Sequence, residues 1–241
     1  MASLRLFAIW ALTALSTPVA CLPTTEQHVL GAGHDDKLDH VHKVLKKAEI
    51  IPTVIDDFMP TLSLSVHWSS KCSASLGNTL KPSKLQAAPS VTLHDPSSSS
   101  SLCSQPNMTY TIALTDPDAP SRDDPKWSEV CHWIATGLSA LASSTGKCEL
   151  SMEGDDHDLD EIMEYEPPGP PEKTGKHRYV FLAFAPENGT TDKLHLSKPS
   201  DRKHWGYGEV HGEKDGVKDW AKDNGLVPVA ANFIYAQHKK Q

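Results

Sequence analysis

Between Leu114 and Trp133 the chain reads LTDPDAPSRDDPKWSEVCHW, and Asp116, Asp118, Arg122 and His132 are the side chains there that could do chemistry. Two carboxylates one residue apart with a downstream imidazole offer oxygen and nitrogen ligands to a metal. No HExxH, CxxC pair or calcium loop accompanies them. The acidic run from Asp155 lacks the turn glycine and spacing of an EF-hand, so no metal ligand is expected. Cys131 beside His132 suggests a nucleophile with its base, but adjacent strand residues point to opposite faces and cannot act on one atom. A Gly-x-Ser-x-Gly elbow is absent, as is a glycine-rich phosphate loop after a strand. Pro117 and Pro120 fix φ and remove N–H donors on either side of Asp118. That rigidity suits a preformed site, and equally a plain turn in which Arg122 pairs with Asp118.

A second cluster, PPGPPEKTGKHRYVFLAF, favours binding over bond-breaking. It contains Gly169, Pro170 and Pro171, a rigid turn with exposed backbone, and then His177 and Tyr179 on one face of a strand with Arg178 on the other. Two histidines and a phenol at strand ends could donate hydrogen bonds to an anion. Asp116 would strengthen such a donor by orienting a histidine through its ring N–H. No strong nucleophile stands beside them, so no catalytic residue and no cofactor are expected.

These groups need a sheet to position them. The segments LSLSVHW (Leu62–Trp68), MTYTIALTD (Met108–Asp116), VCHWIATGL (Val130–Leu138) and HRYVFLAFAP (His177–Pro186) read as strands, the last most clearly. Leu38, Val41, Val44 and Leu45 recur at helical spacing, closed by Pro52, and a second helix is expected around Gly216–Asp223, ended by Gly225, before a short strand. The Pro- and Ser-rich stretch Pro96–Asn107 reads as a loop, and the acidic, then Pro/Gly-rich stretch 153–176 as a long connection.

Composition sets the compartment. The 241 residues carry a formal charge of −8, which argues against nucleic acid and anionic lipid as general partners. The apolar run Leu6–Leu15 after Arg5 suits a secretory signal peptide and is too short to span a bilayer, and no other run is long enough to do so. The chain thus divides into a signal peptide at 1–20, a flexible N-terminus at 21–36 and one domain at 37–241, and the protein is expected to be secreted. Cys72, Cys103, Cys131 and Cys148 then suggest two disulfides, Cys72–Cys103 and Cys131–Cys148 on proximity. Asn107 and Asn188 head glycosylation sequons.

The blocks DPDAPSRDDPKWSEVCHW and GKHRYVFLAF, in this order, resemble the two signature blocks of the phosphatidylethanolamine-binding protein family. LKKAEIIPTVIDDFMPTLSLSVHW and NGLVPVAANFIYAQ extend the resemblance, especially to fungal members, across roughly Leu38 to Gln237. Val130 and Cys131 depart from it, replacing an aromatic and a histidine found in many members. The resemblance implies a mainly β fold, in which a large central antiparallel sheet is flanked by a smaller sheet and peripheral helices. It also implies an anion pocket of Asp116, His132, Gly169, Pro170, His177 and Tyr179, shaped by Asp118, Pro120, Arg122 and Trp127. A phospholipid head group such as phosphatidylethanolamine, or a small anion, is the ligand it implies. A protein inhibitor of a serine carboxypeptidase of the secretory pathway is the alternative.

Overall fold

The computed structural model describes residues 35–95, 108–142, 148–151, 159–203, 205 and 216–241, with backbone alone for 139–142 and 148–151. The expected signal peptide lies outside these residues, as do Cys103, Asn107 and the 96–107 loop.

The strongest apolar segments form the middle of the molecule. β5 (Thr109–Asp116), β6 (Val130–Ala142), β9 (Lys176–Pro186) and β10 (Leu226–Gln237) pair antiparallel in the order β6-β5-β9-β10. β3 (Asn78–Leu80) adds in parallel to the outer edge of β10, and β8 (Asp160–Met163) adds to β6. A smaller sheet is built from β1 (Ser63–Ser69), β2 (Cys72–Ser73), β4 (Ser90–His94) and β7 (Cys148–Ser151). It joins the large sheet where β7 pairs with the far end of β6.

Alternation along the central strands decides which layer each side chain enters. Tyr110, Ile112 and Leu114 of β5 and Phe181 and Ala183 of β9 pack with Leu64, Val66, Val91 and Leu93 of the smaller sheet. Val180, Leu182 and Phe184 point the other way, onto Leu45 of α1 (Asp35–Lys47) and Val217 and Trp220 of α2 (Gly216–Asp223). With both faces covered, β9 is buried at every position from His177 onward, which is why it reads as an unbroken apolar run. This is the mainly β fold that the resemblance implies. Among its described residues, the 153–176 connection, expected to contain no central strand, contributes the short β8 before β9 begins at Lys176. Pairing supplied what propensity did not show for β2, β3, β4 and β7.

Two irregularities shape β6. Its partner register on β5 jumps from Trp133 opposite Leu114 to Cys131 opposite Thr115, so His132 is an extra, bulged residue. A second jump leaves Gly137 unpaired at φ +98°, a left-handed conformation that glycine adopts without strain. Beyond it the strand passes to the smaller sheet.

The expected disulfides are corrected here. Cys72 and Cys131 are both free, buried thiols. Cys131 packs among Ala113, Ile134 and Val180 on the helix side of the large sheet. Cys148 pairs with Ala142, eleven positions further along β6, or roughly 36 Å at the usual strand rise. A disulfide spans at most ~7 Å between Cα atoms, so nearness in sequence did not translate into nearness in space. Burial pushes the Cys131 thiol up to about 12, outweighing the favourable charge of Arg202. Alkylation of the native protein with iodoacetamide at pH 8, mapped by peptide mass spectrometry, is expected to leave Cys131 unmodified until denaturant is added. Rapid native labelling of that residue, or its recovery in a disulfide, would contradict this burial.

Candidate functional site

The site is assembled by antiparallel order. β5 ends where β6 and β9 begin, so Asp116, His132, His177 and Tyr179 meet at one end of the large sheet although the chain separates them. The Asp116 carboxylate organises the group. Its Oδ1 accepts the Asp118 N–H at 2.8 Å, an Asx turn across Pro117, and its Oδ2 accepts the His177 Nδ1–H at 2.9 Å. The Tyr179 ring stacks on His177 (centroids 6.4 Å apart, 16° between planes) and meets the edge of His132 at 5.1 Å. Burial, and then the charge of Asp116 and the hydroxyl's bond to that carboxylate, push the Tyr179 phenol well above its ordinary range. The Gly169 N–H to the hydroxyl pulls it back in part.

His132 owes its aim to the bulge. The extra residue in β6 lets Trp133 enter the inter-sheet core while Cys131 and Ile134 share the helix side. The His132 ring is directed to Glu166, whose carbonyl lies 2.8 Å from Nδ1. A carbonyl only accepts, so Nδ1 carries the proton and Nε2 is the nitrogen left over; it has no hydrogen-bond partner among the described residues. Burial holds this imidazole below its ordinary range, partly offset by the charge of Asp116. At neutral pH Nε2 is therefore an acceptor.

The candidate residues divide between two roles. Asp116, His132, His177 and Tyr179 lie together, with the Gly169 N–H on the Tyr179 hydroxyl. A Cβ at Gly169 would meet only the Pro167 carbonyl, at 3.8 Å, so the fold itself does not demand glycine there. Pro170 is buried beside it. The expected pair of histidine donors is not present: the second nitrogen of His177 lies 3.0 Å from the Thr174 hydroxyl, so both of its nitrogens are held internally.

Of the two arrangements the sequence left open, the plain turn in which Arg122 pairs with Asp118 is not the one formed. Asp118 is 1% exposed and faces inward to Arg178, whose Nη2 lies 2.6 Å from Oδ1 and whose backbone N–H donates to Oδ2. Nη1 of the same guanidinium donates to the Ala48 and Glu49 carbonyls just past the end of α1. Arg122, on the outer part of the loop, pairs with Glu49 at 2.7 Å instead. Pro120 and Trp127 lie on that loop, which closes through the Trp127 N–H to the Ala119 carbonyl. Trp127 is 45% exposed with the Lys126 ammonium 5.9 Å from its ring centre.

Sequence reasoning missed three supporting groups. Arg202 donates to the Cys131, His132 and Glu164 carbonyls and pairs with Glu166, which fixes the bulge that aims His132. Nothing in its local sequence marks it. Thr174 was quoted within the second block without a role. Glu129, just before β6, is 1% exposed. Its Oε2 accepts the Thr115 hydroxyl at 2.5 Å and faces the Val217 N–H of α2, while Oε1 has no hydrogen-bond partner among the described residues. The Trp205 indole N–H lies beside this carboxyl, also without a hydrogen bond among the described residues. Burial pushes Glu129 up to about 7.

Among the described residues there is no cluster of three or more metal-ligating side chains, and no helix is long and apolar enough to cross a membrane. Asn188 is exposed on a turn, its Oδ1 accepting the Thr190 N–H.

The phosphatidylethanolamine-binding protein family model matches residues 70–234, which include both signature blocks and every site residue above. The chain belongs to the phosphatidylethanolamine-binding protein family. Among similar members, the carboxypeptidase Y inhibitor of Saccharomyces cerevisiae is 36% identical over 208 residues, covering 80% of this chain and 93% of that one. An uncharacterised protein of the same yeast is 33% identical over 196 residues, covering 80% and 92%. Among solved structures, the carboxypeptidase Y inhibitor complexed with its cognate proteinase superposes with a TM-score of 0.71 at 36% identity, over 85% of this chain and 98% of that one. The phosphatidylethanolamine-binding protein from Plasmodium vivax superposes at 0.59 with 20% identity, over 82% and 97%, and shares the fold.

Proposed function

We propose that this protein is a non-catalytic inhibitor of a peptidase, of the serine carboxypeptidase kind, acting in the secretory pathway. The observation that carries the reading is the 36% identity to carboxypeptidase Y inhibitor along 93% of that protein's length, with the fold retained. The site supports it from the chemical side. Asp116, His177 and Tyr179 engage one another, the Thr174 hydroxyl and the adjacent backbone, and the nearby thiol of Cys131 is buried on the opposite face. The apolar run Leu6–Leu15 and the sequon at Asn188 support the compartment. The test is inhibition of a purified serine carboxypeptidase hydrolysing a peptide substrate. Saturable inhibition that approaches one inhibitor per enzyme is expected, and it should survive His132→Ala. Undiminished peptidase activity at a large molar excess of the protein would refute it.

A second reading, an oxyanion or phospholipid head-group site at the same cluster, is favoured by one observation. His132 Nε2 is left over as an acceptor beside the Gly169 turn, suited to a ligand that brings its own proton, such as a phosphate monoanion or an ethanolamine ammonium. Calorimetry with O-phosphorylethanolamine should show binding that His132→Ala abolishes; no heat from the wild type would remove this reading and leave the first standing.

A further inference from the structure

We propose that Thr174 controls access to His177, and that the segment 238–241 holds Thr174 in place. The inference rests on the second reading, an oxyanion site at the sheet end. Thr174 has one hydroxyl proton and two neighbours for it: the Pro171 carbonyl at 2.9 Å and His177 Nε2 at 3.0 Å. Since the His177 Nδ1–H donates to the Asp116 carboxylate, neutral His177 presents a lone pair at Nε2, and the Thr174 hydroxyl donates to it. When His177 is protonated, Nε2–H donates to the Thr174 oxygen, whose own proton turns to Pro171. In either state the hydroxyl satisfies Nε2, and no ring nitrogen of His177 is left for a ligand.

The turn that carries Thr174 is held from outside the sheet. Lys173 at φ +63° and Gly175 at φ +76° reverse the chain on either side of it. The Lys173 N–H donates to the Lys240 carbonyl at 3.2 Å, the Gly175 N–H donates to the Gln241 side-chain oxygen at 3.0 Å, and the Lys240 ammonium pairs with Glu172 at 3.1 Å. All these contacts are exposed, so each is weak and salt-sensitive. Beyond Thr174 and Gly175 lies an open cleft of about 470 Å³, lined also by Arg122, Asp123, Lys176 and Tyr235. Turning Thr174 away would free Nε2 of His177 beside this cleft, where Lys176 stands over the Tyr235 ring and Arg122 is paired with Glu49. In the protonated ring, with Asp116 accepting from Nδ1, a freed Nε2–H is a donor suited to a phosphate-type oxyanion. Thr174 is in this sense a positioning residue, acting on the ligand through His177.

The experiment pairs a spectroscopic readout with a binding one on the full chain. Long-range ¹H–¹⁵N spectra report the state of each His177 nitrogen, and calorimetry with inorganic phosphate reports affinity. In Thr174→Ala, which removes the group covering Nε2, the Nε2 resonance should move toward that of a water-exposed imidazole. Phosphate should bind about tenfold more tightly, the worth of one hydrogen bond to an anion. Thr174→Ser should retain both wild-type values, and Lys240→Ala with Gln241→Ala should shift both in the direction of Thr174→Ala. An unmoved Nε2 resonance in Thr174→Ala overturns the proposal, as does equal phosphate affinity in wild type and variant. A moved resonance with phosphate bound by neither protein overturns instead the oxyanion reading on which the proposal rests.

Discussion

Replacing Glu129 with glutamine should make the protein more resistant to urea at pH 8 than the wild type, while leaving the two nearly equal at pH 4.5. The carboxyl is buried between β5 and α2, one oxygen shared by the Thr115 hydroxyl and the Val217 N–H and the other without a partner among the described residues. Burial raises it from an ordinary value near 4.5 to about 7, a change that the Asp116 charge reinforces and its hydrogen bonds only partly oppose. A group whose folded value is raised binds more protons in the native than in the unfolded state between those two values. Stability therefore falls as pH rises through that window. The full contribution is present below about pH 4.5 and is lost as pH passes 7. The loss is roughly 3 kcal/mol, at 1.36 kcal/mol for each unit of pH. Glutamine keeps the shape and acceptor oxygen without the charge, so the difference in unfolding free energy between the two proteins should open across that range. Parallel pH profiles would show that Glu129 does not titrate there.

The second large effect concerns Asp118 and Arg178. Asp118→Ala should lower unfolding stability by about 3–5 kcal/mol, because it strands a guanidinium inside the molecule. Arg178 is 6% exposed and uses Nε and Nη2 on Asp118 while Nη1 holds the carbonyls at the end of α1. For a domain of this size that corresponds to a fall in midpoint temperature on the order of 10 °C. Surface pairs such as Arg122–Glu49, with side chains 39% and 68% exposed, should be worth under about 1 kcal/mol by comparison. Asp118→Leu combined with Arg178→Met should recover much of the loss, since no unpaired charge then remains buried. Thermal unfolding followed by circular dichroism separates these cases. A midpoint unchanged in Asp118→Ala would mean that Arg178 finds another partner. Through Arg178 the loop of the first signature block is tied to α1, so carboxypeptidase inhibition measured well below the midpoint should be little affected.

The primary structure alone determined a good deal about this protein. The unbroken apolar run of β9 and the alternating pattern of β1 identify strands because burial on two faces or one leaves a direct mark on residue type. The Asp-Pro-Asp stretch identifies a turn for a local reason, the Asx bond from Asp116 to the Asp118 N–H. Alternation also placed His177 and Tyr179 together on one face and Arg178 on the other, as the structure has them. The short strands β2, β3, β4 and β7 left no comparable mark, because their pairing partners are far away in the chain and a few residues carry no period of their own.

Partners were decided only by the tertiary structure. Asp118 and Arg122 are close in sequence, yet the buried geometry gives Asp118 to Arg178, sixty positions on. Cys131 and Cys148 are near in sequence, but the length of β6 separates them. His132 gains its direction from a bulge fixed by Arg202, and His177 loses its second nitrogen to Thr174. Residue type reports what a side chain is able to do. Which partner takes its last lone pair or proton depends on strand register and burial, and those are set by the whole sheet.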